Sequence, residues 1–427
     1  MKKLVVLILS IIFVLSLFAF NGCSLNGGDK NFISKALDGT PYLRYKKIED
    51  KEEYRVTGID IPQNYANEKM YIEIPLAYNG LPVTTISPFA FSEGCSNILS
   101  VVIGDNVTTI YPFAFDGCSN LLSVVIGKSV TSIWLRAFDG CYRLAEFINK
   151  SSLIIEKGTY TSATGEPSKL TYALGVYNKG DKFKSKLSND NDYIIYNDGN
   201  NKILIGYIGD KTELVLPKYI TEINAKAFLG CKNLTSIEIP KSVKKIGFAC
   251  FSECFNLAEV NYLGTIDGWA EIEFCDNMLN YDSNPIWYAK KLKINGKEIT
   301  EINLKSASKI SAGAFYGMEN LLSVTIPNNV TTIGDHAFWG CNSLASVVIP
   351  NNVTIIKSGT FGNCSSLSSV VIPNSVTIIH NRAFWNCSSL QYIYYGGTQE
   401  EWFDIIKGES WGNNTGSCTI IYNYTGK

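Results

Sequence analysis

Histidine is nearly missing from this chain: 427 residues hold two, His336 and His380. The sequence contains no Cys-x-x-Cys and no His-x-x-x-His, so zinc would find no set of well-spaced ligands. Both histidines read as turn residues and not as partners of a nucleophile. No nucleophile elbow and no glycine-rich phosphate loop is expected. Asp190-Asn191-Asp192 lacks the twelve-residue pattern of a calcium loop. Charge is scarce and balanced, 38 basic against 39 acidic side chains, which gives no electrostatic reason to expect nucleic acid as a partner. The expectation is a protein without catalytic residues, metal or cofactor. Apolar residues, at 46%, are plentiful enough to fold the chain and bury surface.

The length exceeds what one ordinary core needs, so an internal repeat is the first thing to seek. The cysteines mark it. Cys95, Cys118 and Cys141 are 23 apart, as are Cys231 and Cys254, and Cys341, Cys364 and Cys387; Met318 fills the same slot 23 before Cys341. Three residues ahead stands a Phe, usually after Ala, as in Ala114-Phe115, Ala137-Phe138, Ala227-Phe228, Ala314-Phe315, Ala337-Phe338 and Ala383-Phe384. Ala90-Phe91, Cys250-Phe251 and Thr360-Phe361 are variants, which makes nine copies.

One copy shows the mechanics. In Leu344-Ala345-Ser346-Val347-Val348-Ile349-Pro350, the apolar positions alternate as they do in a short strand with one buried face. Pro350 ends the strand by removing a donor. Asn352 recurs as Asn106, Asn329, Ser129, Ser242 and Ser375, short polar side chains able to bond turn backbone. Val353, Ile356 and Phe361 give the return leg its own inward residues. One such unit cannot bury its apolar side alone, whereas stacked units can.

The pattern Cys-x-x-Leu-x-x-Val-x-Ile-Pro-x-x-Val-x-x-Ile-x-x-x-Ala-Phe resembles the BspA-type leucine-rich repeat of bacterial surface proteins. The resemblance covers roughly residues 54 to 427. It implies a parallel-stranded solenoid, often attached to the cell surface, with adhesion as the activity of several members. Tyr262 to Trp269 and Tyr395 to Trp402 share Tyr, Gly, Thr and Trp at one spacing and resemble the family's longer repeat. Tyr78-Asn79-Gly80-Leu81 resembles its opening repeat. The fold class expected is a repeat solenoid of 23-residue coils, with a parallel β-sheet on one face and little regular helix.

The N-terminus reads as an address. Lys2 and Lys3 precede an apolar run from Leu4 to Phe20, the layout of a secretory signal. Phe20-Asn21-Gly22-Cys23 resembles a bacterial lipobox, which implies acylation of Cys23 and a lipid anchor on the extracellular face of a membrane. A plainly secreted protein and a retained anchor helix are the alternatives.

The organisation expected is a signal peptide (1–22), a lipidated tether and start of a cap (23–50), N-terminal repeats (51–148), an irregular stretch (149–222), repeats (223–260), a long variant (261–303), C-terminal repeats (304–392) and a cap (393–427). Within the irregular stretch, Tyr193–Tyr196 and Ile203–Tyr207 flank Asp198-Gly199 and read as a hairpin. It is expected to continue the stack as an oversized coil.

Eleven cysteines follow Cys23, an odd number that forbids complete pairing. Eight occupy the repeat slot, and Met318 favours a column of small buried side chains over a disulfide or metal ladder. Two surfaces are candidates for binding. One is the outward side of the strands: Leu99, Ser100 and Val102; Leu122, Ser123 and Val125; Leu322, Ser323 and Thr325; Ala345, Ser346 and Val348; Ser368, Ser369 and Val371. The other is an aromatic edge, since the residue after the repeat Phe is Tyr316, Trp339, Gly362 and Trp385 in successive copies, with Tyr392, Tyr394 and Trp402 extending it. Either set could instead serve the fold, as strand formers or as a cover over the Phe layer. The function expected is binding of extracellular or host proteins, other cells or surface glycans. A structural spacer without a ligand is the alternative.

Overall fold

The computed structural model describes residues 37–38, 40–65, 68–157, 168–170, 173–275, 282–415 and 417–426. Cys23, the signal segment and the tether lie outside them. The chain divides into two compact units, Met1–Asp190 and Asn191–Lys427, and each is a solenoid.

In the first unit, the strands Met70–Ile74, Ile98–Ile103, Ser123–Ile126, Glu146–Asn149 and Gly175–Tyr177 pair in parallel, one per coil. The register follows the repeat: Val101 faces Val124, and Val124 faces Phe147. The return legs build a second parallel ladder, through Leu81–Ile86, Thr109–Ile110 and Ser132–Ile133. An antiparallel pair, Leu43–Lys47 with Tyr54–Ile59, closes its start. Asn79 and Gly80, at φ 49° and 79°, make the tight turn between Ala77–Tyr78 and Leu81–Pro82.

The second unit opens on the expected hairpin. Tyr193–Asn197 pairs antiparallel with Lys202–Tyr207, and the latter continues in parallel with Glu222–Ile223. Its strand side includes Ser346–Val348, Ser369–Ile372, Tyr392–Tyr395 and Thr419–Ile421 in one sheet. The return legs pair Ile355 with Ile378 and Ile356 with Ile379. Parallel pairing on the return leg adds a second face to the one the sequence suggested. The inward spacing of Val353 and Ile356 leaves that leg extended, and extended neighbours pair.

Phe columns form the core. Phe91, Phe115 and Phe138 stack at 4.7 and 5.0 Å. Phe315, Phe338, Phe361 and Phe384 stack at 5.4, 5.4 and 5.6 Å. These distances reflect the spacing of neighbouring strands. Full burial of one such ring contributes roughly 1.5–3 kcal/mol, and the position is Phe in all nine copies.

The cysteine column is a set of free thiols. Cys141, Cys254, Cys341, Cys364 and Cys387 each donate to the carbonyl of the Phe 26 residues earlier, at 3.1–3.4 Å. At these five positions the slot holds a small, apolar side chain with one weak donor, and at Met318 a buried thioether without a donor fills it. The turn residues act between coils: Asn106 Nδ2 donates to Leu76 O at 2.9 Å, Asn352 Nδ2 to Asn328 O at 2.6 Å and Ser242 Oγ to Lys218 O at 2.7 Å.

The residue before the Ala has positive φ in every copy. Phe89, Phe113, Arg136, Lys226, Ala249, His336 and Arg382 lie between 49° and 60°, and glycine, at 313 and 359, serves twice. This left-handed step aims the next amides at the neighbouring coil, so that Phe91 N donates to Ala114 O and Phe338 N to Thr360 O.

Among the described residues α-helix is limited to three short pieces, α1 Ile266–Ala270, α2 Ile286–Ala289 and α3 Gln399–Asp404, beside three single 3-10 turns. The two long variants share one construction. Thr265 caps α1 and Thr398 caps α3, the latter in a capping box with Glu401. Tyr262 meets Trp269 at 5.4 Å and 65°; Tyr395 meets Trp402 at 5.2 Å and 66°.

Candidate binding surfaces

Extended backbone sends alternate strand residues outward, and in the second unit they reach solvent. Leu322 is 52% exposed and Val348 59%. Ser323, Thr325, Ala345, Ser346 and Ser368 are exposed too, while Ser369 and Val371 are half-buried. The register carries these rows on to tyrosines: Ser346 faces Ser369, which faces Tyr392, and Val371 faces Tyr394. Tyr392 is exposed and Tyr394 half-buried, their rings 6.0 Å apart. No charged side chain interrupts the outward positions from Leu322 to Val371.

The first unit departs from the expectation. Leu99 and Leu122, read as outward residues, are buried, as is the matching Ala145. Next to Ala145, Glu146 is buried and takes hydrogen bonds from Ser185 Oγ and from the Lys186 amide, so the segment carrying Ser185 packs on the strand at this coil. Burial pushes the Glu146 carboxyl up, against these donors.

On the aromatic edge, Tyr316 is only 7% exposed, whereas Trp339 and Trp385 are half-buried. Tyr316 is therefore packed and not displayed: Trp287 of α2 meets it at 5.1 Å and Trp339 stacks on it at 6.5 Å. Trp402 is buried against Tyr395. Trp339 and Trp385, two coils apart in sequence, stack at 5.6 Å and 9°. Gly362 stands between them without a side chain, and Trp339 fills its place. The rings cover one another's faces, as expected for a cover over the Phe layer.

A surface not anticipated lies on the return leg of the first unit. Phe89 and Phe113 stack at 5.0 Å and 2°; Tyr111 and Trp134 stack beside them at 6.0 Å and 16°. Phe89 is 55% exposed and Trp134 48%. The signal was legible in the sequence: Phe89-Ala90-Phe91 and Phe113-Ala114-Phe115 put a second aromatic where other copies have Arg, Lys, His, Gly or Ala.

Reactive groups are muted. Burial raises the thiol of Cys364 well above its ordinary range and that of Cys387 to about 12, so neither is a thiolate at neutral pH. His336 is a left-handed turn residue whose pKa burial lowers; His380 is exposed. Gly408-Glu409-Ser410-Trp411-Gly412 does carry the Gly-x-Ser-x-Gly spacing, contrary to expectation. It forms a turn after the strand Ile406–Lys407, and no helix follows it, so the strand-to-helix elbow that spacing serves is not built. Among the described residues no group of three His, Cys, Asp or Glu side chains is placed to hold a metal ion.

Solved structures that resemble the chain include three bacterial leucine-rich proteins. A leucine rich cell surface protein from Faecalibacterium prausnitzii is 22% identical, with 86% of this chain and 96% of that one covered and a TM-score of 0.37. A leucine-rich repeat protein from Bacteroides ovatus is 20% identical, with 89% and 98% covered and a TM-score of 0.35. A third, from Eubacterium ventriosum, is 16% identical, with 91% and 96% covered and a TM-score of 0.30. No curated protein matches the chain. A family profile described as the BspA type leucine rich repeat region matches in six copies, over residues 77–165, 207–282 and 294–404. Those spans hold the whole cysteine column and the whole Phe column, and the chain belongs to the BspA-type leucine-rich repeat family.

Proposed function

We propose that this protein is a lipid-anchored component of a bacterial cell surface that binds other macromolecules, whether extracellular or host proteins, neighbouring cells or surface glycans. The observation that carries the reading is the bare, uncharged strand side from Ser323 to Val371. Interface centres are depleted of charge, and a rigid solenoid side offers a partner a surface that needs no reordering. The basic start, apolar run and Cys23 support a location outside the cytoplasm. Adhesion is the activity this arrangement serves.

Purified full-length protein applied to an array of matrix proteins, glycans and fixed bacterial and host cells tests the reading. Binding to at least one ligand is expected, and Val348→Asp with Ser346→Asp should weaken it. An array that stays blank, or binding indifferent to both charges, would sink the proposal. Radiolabelled fatty acid should be incorporated by the producing bacterium and lost in Cys23→Ser; unlabelled parent protein overturns the anchor.

A second reading, a structural spacer without a ligand, is favoured by the burial of Tyr316 beneath Trp287 and Trp339. It requires the blank array.

A further inference from the structure

The geometry points to a docking surface on the return leg of the first unit, along the Phe89–Phe113 and Tyr111–Trp134 ladders, for a basic peptide segment that sets Arg or Lys beside apolar side chains. It is separate from the strand side invoked above and stands whether or not that side binds anything.

Backbone conformation supplies the first argument. Phe89 and Phe113 occupy the step that every coil holds left-handed, at φ 55° and 58°. Glycine meets that demand at Gly313 and Gly359, whereas an aromatic there is strained. Phe89 gains little burial in exchange, being more than half exposed. The other coils fill the step with Arg, Lys, Ala, His or Gly, so a large ring left in water there is a feature that these two coils do not share with the rest.

Charge supplies the second, and it selects the partner. On the next rung stands Arg136, its guanidinium 5.9 Å over the Phe113 ring and 4.0 Å from Asp139. The chain's own cation thus occupies a seat made of an aromatic face and a carboxylate. One arginine serves two acids there. Asp116 Oδ1 lies 3.7 Å from the place where Gly140 would carry a Cβ, so Asp116 and Asp139 occupy adjacent rungs. Burial and then the charge of Asp139 push the Asp116 carboxyl up, with Arg136 opposing. The surplus of negative charge beside exposed rings complements a cation and repels an acidic partner. Surface rings of the second unit take cations in the same way, Lys290 over Trp287 at 4.5 Å and Lys202 over Tyr219 at 4.9 Å.

Fluorescence anisotropy on full-length protein, with four labelled peptides of equal length, decides the matter. The peptides are Arg/Leu, Asp/Leu, Arg/Ser and Gly/Ser copolymers. The Arg/Leu peptide should bind tightest. Phe89→Gly with Trp134→Ala should weaken it about 10-fold or more, and Asp116→Asn with Asp139→Asn several-fold. Val348→Asp on the strand side should leave it unchanged. Phe89→Gly suits the left-handed step, and a melting temperature within about 4 °C of the parent certifies the fold. The proposal is overturned if Asp/Leu binds as well as Arg/Leu, if Arg/Ser binds equally well, if the ring variants bind like the parent, or if no peptide binds.

Discussion

Trp339 and Trp385 stack at 5.6 Å although a whole coil separates them, because Trp339 leans over Gly362. Two coils of a parallel ladder are about 10 Å apart, so the contact exists only where the coil between has no side chain. A Cβ at 362 would collide with the Trp339 ring and crowd the Arg382 carbonyl. Gly362→Ala is therefore expected to destabilise the second unit by about 1–3 kcal/mol, seen as a lower urea midpoint. Trp339→Ala in the same background should recover part of the loss by vacating the space. If Gly362→Ala unfolds at the parent midpoint, the packing described for this edge is wrong.

The left-handed step before each Ala-Phe leads to the opposite kind of change. Ala249 at φ 49° and Arg382 at φ 60° adopt a conformation that glycine reaches without strain. Replacing Arg382 with Gly should stabilise the protein, or at worst leave it unchanged, whereas at Ala249, whose methyl is buried, lost packing offsets the relief and no net gain is expected. Relief of left-handed strain contributes about 1–2 kcal/mol, and the greater freedom of unfolded glycine subtracts up to about 1 kcal/mol. Gly359→Ala, at φ 60° with His336 and Trp339 crowding the site, should lose stability. Thermal melts of the three variants check the sign at each position. A gain for Gly359→Ala would contradict the backbone geometry.

This step also marks where reading the sequence stopped. The coil, its period, the buried Phe and Cys and the hairpin at Asp198-Gly199 were legible because each writes a repeated residue type or a turn signal into the chain. The left-handed step wrote none. Phe, Arg, Lys, Ala, His and Gly share it, because the strain of about 1–2 kcal/mol in the residues other than Gly is carried by the packing of the whole coil. The outward role of Leu99 and Leu122 failed for a related reason: a position within the repeat says which side a residue faces, and it cannot say what packs over that side, where both leucines are buried. Tyr316 was left open between display and cover, since Trp287, which covers it, comes from an α2 turn outside the 23-residue period.

The cysteine column yields a chemical prediction. Its buried thiols donate to Phe carbonyls, and burial raises their pKa values, so they should ignore thiol reagents in the native protein. Cys231, Cys275 and Cys418, which are half-buried, should react first, and the buried members of the column only on unfolding. Mass spectrometry after a timed iodoacetamide pulse reads this directly. Cys364→Ala removes the donor from the Phe338 carbonyl and leaves a small cavity, at a cost of about 1–3 kcal/mol. Cys364→Ser keeps a donor of similar size and should cost less if its hydroxyl meets that carbonyl. Rapid native alkylation of Cys341, Cys364 or Cys387 would show the column to be open.

Two carboxylates give opposite pH signatures. Asp267, in α1, accepts from the backbone amides of Lys305, Ser306 and Ala307, each at 2.8 Å. Burial pushes its carboxyl up, but these donations outweigh it and hold the pKa below the ordinary 3.8. Its contribution is fully present above the unfolded value and is lost as pH falls through the lower folded one. Asp267→Asn should cost about 1–3 kcal/mol at neutral pH and progressively less toward pH 3. Glu146 behaves the other way. Burial raises its folded pKa above 4.5, so ionisation is harder in the folded protein, and stability falls as pH climbs from the unfolded value through the folded one. Glu146→Gln should flatten that decline while keeping an acceptor for Ser185 and Lys186. Urea midpoints measured from pH 3 to 8 for the parent and both variants separate the two effects. Parallel curves for parent and Asp267→Asn would remove the claim that the three amides bind a carboxylate.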